Sequence, residues 1–186
     1  MTRYAALAGV ALTTLLVAGA TTSQAAPAVP ITLTVVGPSQ PVSTGQTFLV
    51  TVRVSQAADL GAFEFGAAFN GNLLSTNPDW MALTHFLGST GRSTGELRIQ
   101  NPPNLTQPVF GAYSYGDGAG PAGSGDLATI QFRANAAGSS ALNLTQVQVT
   151  DTHANILPVT VVPGSVTVQP SSSTRRLFLP MLLRRQ

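Results

Sequence analysis

Residues 59–74 read Asp59-Leu-Gly-Ala-Phe-Glu-Phe-Gly-Ala-Ala-Phe-Asn-Gly-Asn-Leu-Leu74. Phe63, Phe65, Ala67 and Phe69 share one parity, and Glu64, Gly66 and Ala68 share the other. A period of two belongs to a β-strand, whose successive side chains leave opposite faces. The phenylalanines are therefore expected in a core, where rings bury large areas. The opposite face carries small side chains and one carboxylate. It is flat and suits close approach by another protein; the alternative is that a neighbouring loop covers it.

The same period runs outward through the chain. Ile31-Thr-Leu-Thr-Val35, Thr47 to Val54 and Ala128 to Ala134 alternate apolar and polar residues, with Leu49 out of step. Shorter runs are Leu142-Asn-Leu144, Val147-Gln-Val149 and Ser165 to Val168. β-Branched residues dominate these runs, as expected of strands. Turn clusters separate them at Gly37-Pro38, Thr44-Gly45, Asn70-Gly71 and Gly138-Ser-Ser140. No long stretch has helical spacing. The expected fold is all-β, an antiparallel sandwich.

The ends differ from the middle. Residues 1–26 have the pattern of a signal peptide: Arg3, an apolar run from Ala5 to Ala18, then small residues with Ser23-Gln-Ala25 as the favoured cleavage motif. The apolar run is short for a membrane-spanning helix. Residues 27–169 form the expected domain. Residues 170–186 are a Ser-rich linker and an apolar tail, Leu177-Phe-Leu-Pro-Met-Leu-Leu183, bracketed by arginine pairs. Pro180 interrupts any helix there. The tail resembles the arginine-flanked ends of exported proteins in some filamentous bacteria, which implies sorting or surface retention; the alternative is an end that adheres to a membrane or partner.

Charge is scarce. Only 9% of the 186 residues are charged, and the formal charge is +2. All nine basic residues are arginines, one in the leader and four in the tail, which leaves four against seven acids and a formal −3 for the domain. The basic balance therefore belongs to the ends, and nucleic acid is not an expected partner.

The inventory for catalysis is thin. Without cysteine or lysine there is no disulfide, thiolate site or Schiff base. No Gly-x-Ser-x-Gly elbow precedes a helix, and nothing places two carboxylates such as Glu64 and Glu96 in one cleft. His85 is expected in a loop, partly buried. Asp151 and His153 share a side, but two ligands hold a metal only with further partners, so no metal site is assigned. The loop Tyr115 to Asp126 is glycine-rich but lacks the Lys-Ser/Thr of a phosphate loop. Its Asp117 and Asp126 with free carbonyls form a donor set that calcium accepts. A hairpin connection with glycines at turns explains it better, and no cofactor is expected. Trp80, Tyr113 and Tyr115 are the only Trp and Tyr residues outside the leader. They are the candidates for glycan stacking; the alternative is that they line the sandwich edge or cover its core.

Several segments, in order, resemble a bacterial cohesin domain. They are Gly45-Gln-Thr-Phe-Leu-Val-Thr-Val52, Leu60 to Asn70, Leu73-Leu74, Gly125-Asp-Leu-Ala-Thr-Ile-Gln-Phe132, and Val159 to Val168 with Gly164-Ser-Val-Thr-Val. Asn70-Gly71 stands where the family has Asp-Pro, and Trp80 to Gly120 does not align. The resemblance implies a sandwich of about nine strands with jelly-roll-like topology, related to carbohydrate-binding modules. It implies a dockerin-like partner on one sheet face, with Glu64 at a contact position and calcium carried by the partner. The resulting expectation is an exported, non-enzymatic attachment module at or outside the cell surface, using Glu64, Gly66 and Ala68, with no membrane span in the mature form. The alternatives are a carbohydrate-binding module of an extracellular polysaccharide system, or a structural surface protein without ligand.

Overall fold

The computed structural model describes residues 29–99 and 107–171. The expected leader, and the tail beyond Ser171, lie outside the described residues. Among the described residues twelve strands follow one another: β1 Ile31–Val36, β2 Val42–Ser43, β3 Thr47–Ala57, β4 Leu60–Ala68, β5 Leu74–Ser75, β6 Met81–Leu83, β7 Ser93–Ile99, β8 Val109–Tyr115, β9 Gly123–Ala134, β10 Gly138–Asp151, β11 Val159–Val162 and β12 Gly164–Gln169. Two 3-10 helices, Pro78–Trp80 and His85–Gly88, flank β6. Nine of the strands have four or more residues; β2, β5 and β6 are too short to leave an alternating pattern. No helix among the described residues is long and apolar enough to cross a membrane.

The strands form a sandwich of two sheets. The first runs β11-β1-β3-β9-β5, with β6 also on β9; the second runs β2-β12-β10-β4-β8-β7. The pairing is not antiparallel throughout. β11 lies parallel to β1, and β2 parallel to β12. Short turns force antiparallel neighbours only on strands they join. Both parallel pairs join strands far apart in sequence, so periodicity could not reveal them.

The inward faces meet in one core. From the first sheet come Leu33, Val50, Val52, Val54, Ile130 and Phe132; from the second come Phe63, Phe65, Phe110, Leu142 and Val166. Phe63 stacks on Phe65 at 5.9 Å between centroids, and Phe110 tilts against Phe65 at 6.1 Å. Phe69, just past β4, is half-buried and meets Phe132 edge-on at 5.1 Å. The aromatic parity of residues 63–69 is thus the parity of the core.

β10 joins two runs whose buried parities differ. Leu142 and Leu144 are buried, and so is Val149. The register explains this: Thr145 pairs with Gly66, yet Gln148 pairs with Glu64. One extra residue on β10 makes a β-bulge, with Gln146 at φ +51°. The bulge keeps all three apolar side chains inward and brings Gln148 beside Glu64. Gly138-Ser-Ser140, expected as a turn, instead begins β10, because β12 pairs with it from Val168 onward.

Phe65 is fully buried at the centre of the ring cluster. Phe65→Ala is expected to lower the free energy of unfolding by about 3–5 kcal/mol, through lost transfer energy and a cavity. Leu49→Ala, at a residue 60% exposed, should change it by less than about 0.5 kcal/mol. Urea unfolding of both variants measures the contrast; a similar loss in the two would contradict the assigned core.

Candidate functional site

The outer face of the second sheet is assembled by register. Glu64 on β4 pairs with Gly111 on β8 and with Gln148 on β10, and Ala62 pairs with Tyr113 and with Thr150. On β7, Gly95 and Leu97 pair with Tyr113 and Gly111. Paired residues share a face, so these side chains lie together. Across the outward positions of β7, β8, β4 and β10, Glu64 is the one charged side chain. It makes no ion pair among the described residues.

The face is not flat. A depression of about 250 Å³ is lined by Ala62, Phe63, Glu64, Leu97, Gly111, Ala112, Tyr113, Gln148 and Thr150. Two glycines shape it. A Cβ on Gly111 would stand 3.1 Å from the Phe63 carbonyl and 3.4 Å from Glu64 Cβ, so the floor is open only without a side chain. A Cβ on Gly95 would fall 2.5 Å from Tyr113 Cζ, so the ring lies against the bare β7 backbone. Leu97, Tyr113 and Tyr115 are 47%, 50% and 56% exposed, an apolar rim beside the single carboxylate. The tyrosine rings are 6.1 Å apart and inclined by 37°.

Each residue named from sequence now has a place. Glu64 and Ala68 are half-buried on the outer face. Gly66 has the outward parity but is buried: the side chains of Thr145 and Gln107 approach it, the Thr145 hydroxyl donating to Gln107 Oε1 at 2.8 Å. Tyr113 and Tyr115 project together, as their parity predicts. Trp80 stands apart from them, half-buried in the 3-10 helix ahead of β6, a strand of the first sheet. His85 is exposed in the second 3-10 helix, not partly buried. Leu97, Gln148 and Thr150 were missed. Seeing them required the β7–β8 pairing and the β10 bulge, neither of which periodicity marks.

Two polar clusters lie beyond this face. In one, Asp59, just before β4, joins Asp151 and His153, with one ligand atom from each within 4.8 Å of the others. Asp59 is the third group that sequence spacing could not supply. Its Oδ1 accepts from the Gly120 amide at 2.6 Å, and its Oδ2 from the Thr152 hydroxyl at 2.7 Å. Asp151 Oδ1 accepts from the amides of His153 and Asn155 at 2.8 and 2.9 Å, and its Oδ2 from Asn155 Nδ2 at 2.8 Å. Asp151 thus braces the turn after β10, and Asp59 locks that turn to the start of β4. In the other cluster, Arg92 donates to Ser114 Oγ, to the Gly116 carbonyl and, at 2.7 Å, to the Gly118 carbonyl. Its guanidinium thus binds two carbonyls of the loop that carries Asp117. Asp126 lies in β9, paired with Arg53 at 2.8 Å, and lines a different depression from Asp117.

The carboxylate lock carries a pH dependence. The Thr152 hydroxyl, then the Gly120 amide, hold Asp59 below the usual carboxylate range; the Asn155 side chain, then its amide, do so for Asp151. A carboxylate depressed in the native state adds stability that is complete above its unfolded value and vanishes as pH falls through its native one. Resistance to urea should therefore hold from neutral pH to about pH 5 and fall below about pH 4, near the free Asp value. Asp151→Asn should lower the urea midpoint at neutral pH and flatten the acid limb; an unaltered acid limb would show that the lock is not the cause.

Comparison with known proteins bears on the family and the fold. Residues 31–168 match the family model described as Cohesin domain. No curated protein matches the chain. Among solved structures, a non-cellulosomal cohesin from the archaeon Archaeoglobus fulgidus superposes with a TM-score of 0.59 at 17% identity, covering 76% of this chain and 92% of that one. A cohesin module of a family 33 glycoside hydrolase from Clostridium perfringens gives 0.59 at 14% identity, covering 76% and 98%. A structure from Clostridium thermocellum, described as a type I cohesin–dockerin complex, gives 0.59 at 12% identity, covering 79% and 99%.

Proposed function

The chain belongs to the cohesin family, whose members are non-enzymatic binding modules, and from that premise we propose that it docks a dockerin-type protein on the outer face of β10, β4, β8 and β7. The observation that carries this reading is the uncovered rim of Leu97, Tyr113 and Tyr115 around the one carboxylate of that face. Exposed aromatic side chains grouped on one sheet face have the character of interface anchors. Glu64 supplies register, since a charge within an apolar patch penalises misplacement.

The module works outside the cell on this reading. The support is the signal-like pattern of residues 1–26. Calcium belongs to the partner and no cofactor to this chain. A polysaccharide would have to use the same Tyr113 and Tyr115. Their rings, inclined by 37°, do not present one plane to a sugar chain, so protein docking is the better reading.

The test is a binding assay of the full chain against a panel of recombinant dockerins, with insoluble polysaccharide as the competing ligand. At least one dockerin should be retained, and Glu64→Ala and Tyr113→Ala should each weaken it tenfold or more, about 1.4 kcal/mol, without lowering the melting temperature. Retention on polysaccharide alone, abolished by Tyr113→Ala, would overturn the proposal. So would dockerin binding indifferent to both substitutions.

A further inference from the structure

The partner's chemistry at the centre of this face follows from what surrounds Glu64, given the docking reading above. β4 has β8 and β10 on its two sides, and β7 lies beyond β8. A partner that covers Leu97, Tyr113 and Ala68 must also cover Glu64. Covering a carboxylate without a compensating group removes it from water at a heavy penalty. The domain offers no cation to relieve this. Arg92 is spent on the Ser114, Gly116 and Gly118 oxygens. Arg98 has the inward parity, beside Phe110, and is bound to Glu96. Arg53 and Arg133 lie on strands of the other sheet. Among the described residues nothing supplies the compensating charge, and on this reading it arrives with the partner.

The walls of the depression match one kind of group. Leu97 and Ala62 offer apolar contact, Tyr113 offers a ring, and Glu64, Gln148 and Thr150 offer oxygen atoms. A long side chain with an alkyl stem and a cationic head fits both halves. The stem would lie along the apolar wall, and the head would pair with the carboxylate near the ring, where cation–π attraction adds to the ion pair. At about 250 Å³, the depression is smaller than the roughly 300–1,000 Å³ of sites that enclose a drug-sized ligand. It holds a side chain, not a whole molecule. We propose that the depression between Glu64 and Tyr113 is a socket for one cationic side chain of the docked partner, arginine in preference to lysine. The preference follows from the planar guanidinium, which stacks on a ring and pairs with a carboxylate at once.

Butylguanidinium chloride is the probe, since it is an arginine head on a short stem. It is titrated into the full chain and followed by amide and tyrosine ring NMR shifts. Butylurea serves as the neutral isostere and sodium chloride as the ionic-strength control. Saturable shifts are expected at Ala62, Glu64, Gly111 and Tyr113, with butylurea at least tenfold weaker. Butylammonium should fall between the two. Glu64→Gln should abolish the preference for the cation, and Tyr113→Leu should weaken binding several-fold, with both variants retaining the wild-type melting temperature. Equal shifts from butylurea and butylguanidinium would overturn the socket. So would no shift at these residues, or a preference that survives Glu64→Gln. The outcome is separable from docking itself: a dockerin that binds beside a socket indifferent to charge removes only this inference, and a selective socket with no dockerin retained removes only the identity of the partner.

Discussion

Strand β4 is interior to its sheet, hydrogen-bonded to β10 on one side and to β8 on the other. Its alternation therefore acts on both faces at once. Phe63, Phe65 and Ala67 anchor the core, and the residues between them form the middle of the outer face. A slip of one residue would bury Glu64 and expose two phenylalanines, so core burial also fixes the site. The exported reading leaves no other brace: the chain has no cysteine, and burial between the sheets must hold the geometry. The outer face takes its register from the same burial that stabilises the core.

The β10 bulge extends this coupling. Without the extra residue between Thr145 and Gln148, Leu142 and Val149 could not both point inward. With it, Gln148 stands beside Glu64 and Thr150 beside Ala62, completing one wall of the depression. The locks at the sheet ends serve the same geometry. Asp151 braces the turn after β10 from within and Asp59 ties that turn to the start of β4, and Arg92 ties the end of β8, next to Tyr115, to the segment before β7. These few charged side chains work at the margins, where water offsets the cost of holding them.

What could be read from the residues follows the same physics. Alternation marks a strand buried on one face, so β1, β3, β4 and β9 were legible, as were the shared parity of Tyr113 and Tyr115 and the outward direction of Glu64. β7 was not, because Ser93 to Ile99 has one mostly exposed pattern and little apolar rhythm. β8 was obscured for the opposite reason, with Val109 to Ala112 buried in succession. The bulge at Gln146 reversed parity without a glycine to announce it. Gly66 has the outward parity read from the sequence but is covered, since parity gives the direction of a residue but not its cover, and Thr145 and Gln107 come from elsewhere in the chain. The parallel pairs and the meeting of Asp59 with Asp151 are likewise contacts between distant segments, which local pattern does not encode.

The scarcity of charge has its sharpest consequence at the proposed docking face. An entirely neutral surface of Leu97, Tyr113, Tyr115 and small residues would adhere to many apolar partners. One carboxylate at its centre changes that balance. A partner with nothing to offer Glu64 meets an uncompensated buried charge, and a partner with a cation at that point does not. Discrimination then comes from the penalty on the wrong partner as much as from attraction to the right one. On the docking reading, a charge on β4 cannot be avoided by the partner, whereas on the edge strand β7 water would reach it and the penalty would be lost.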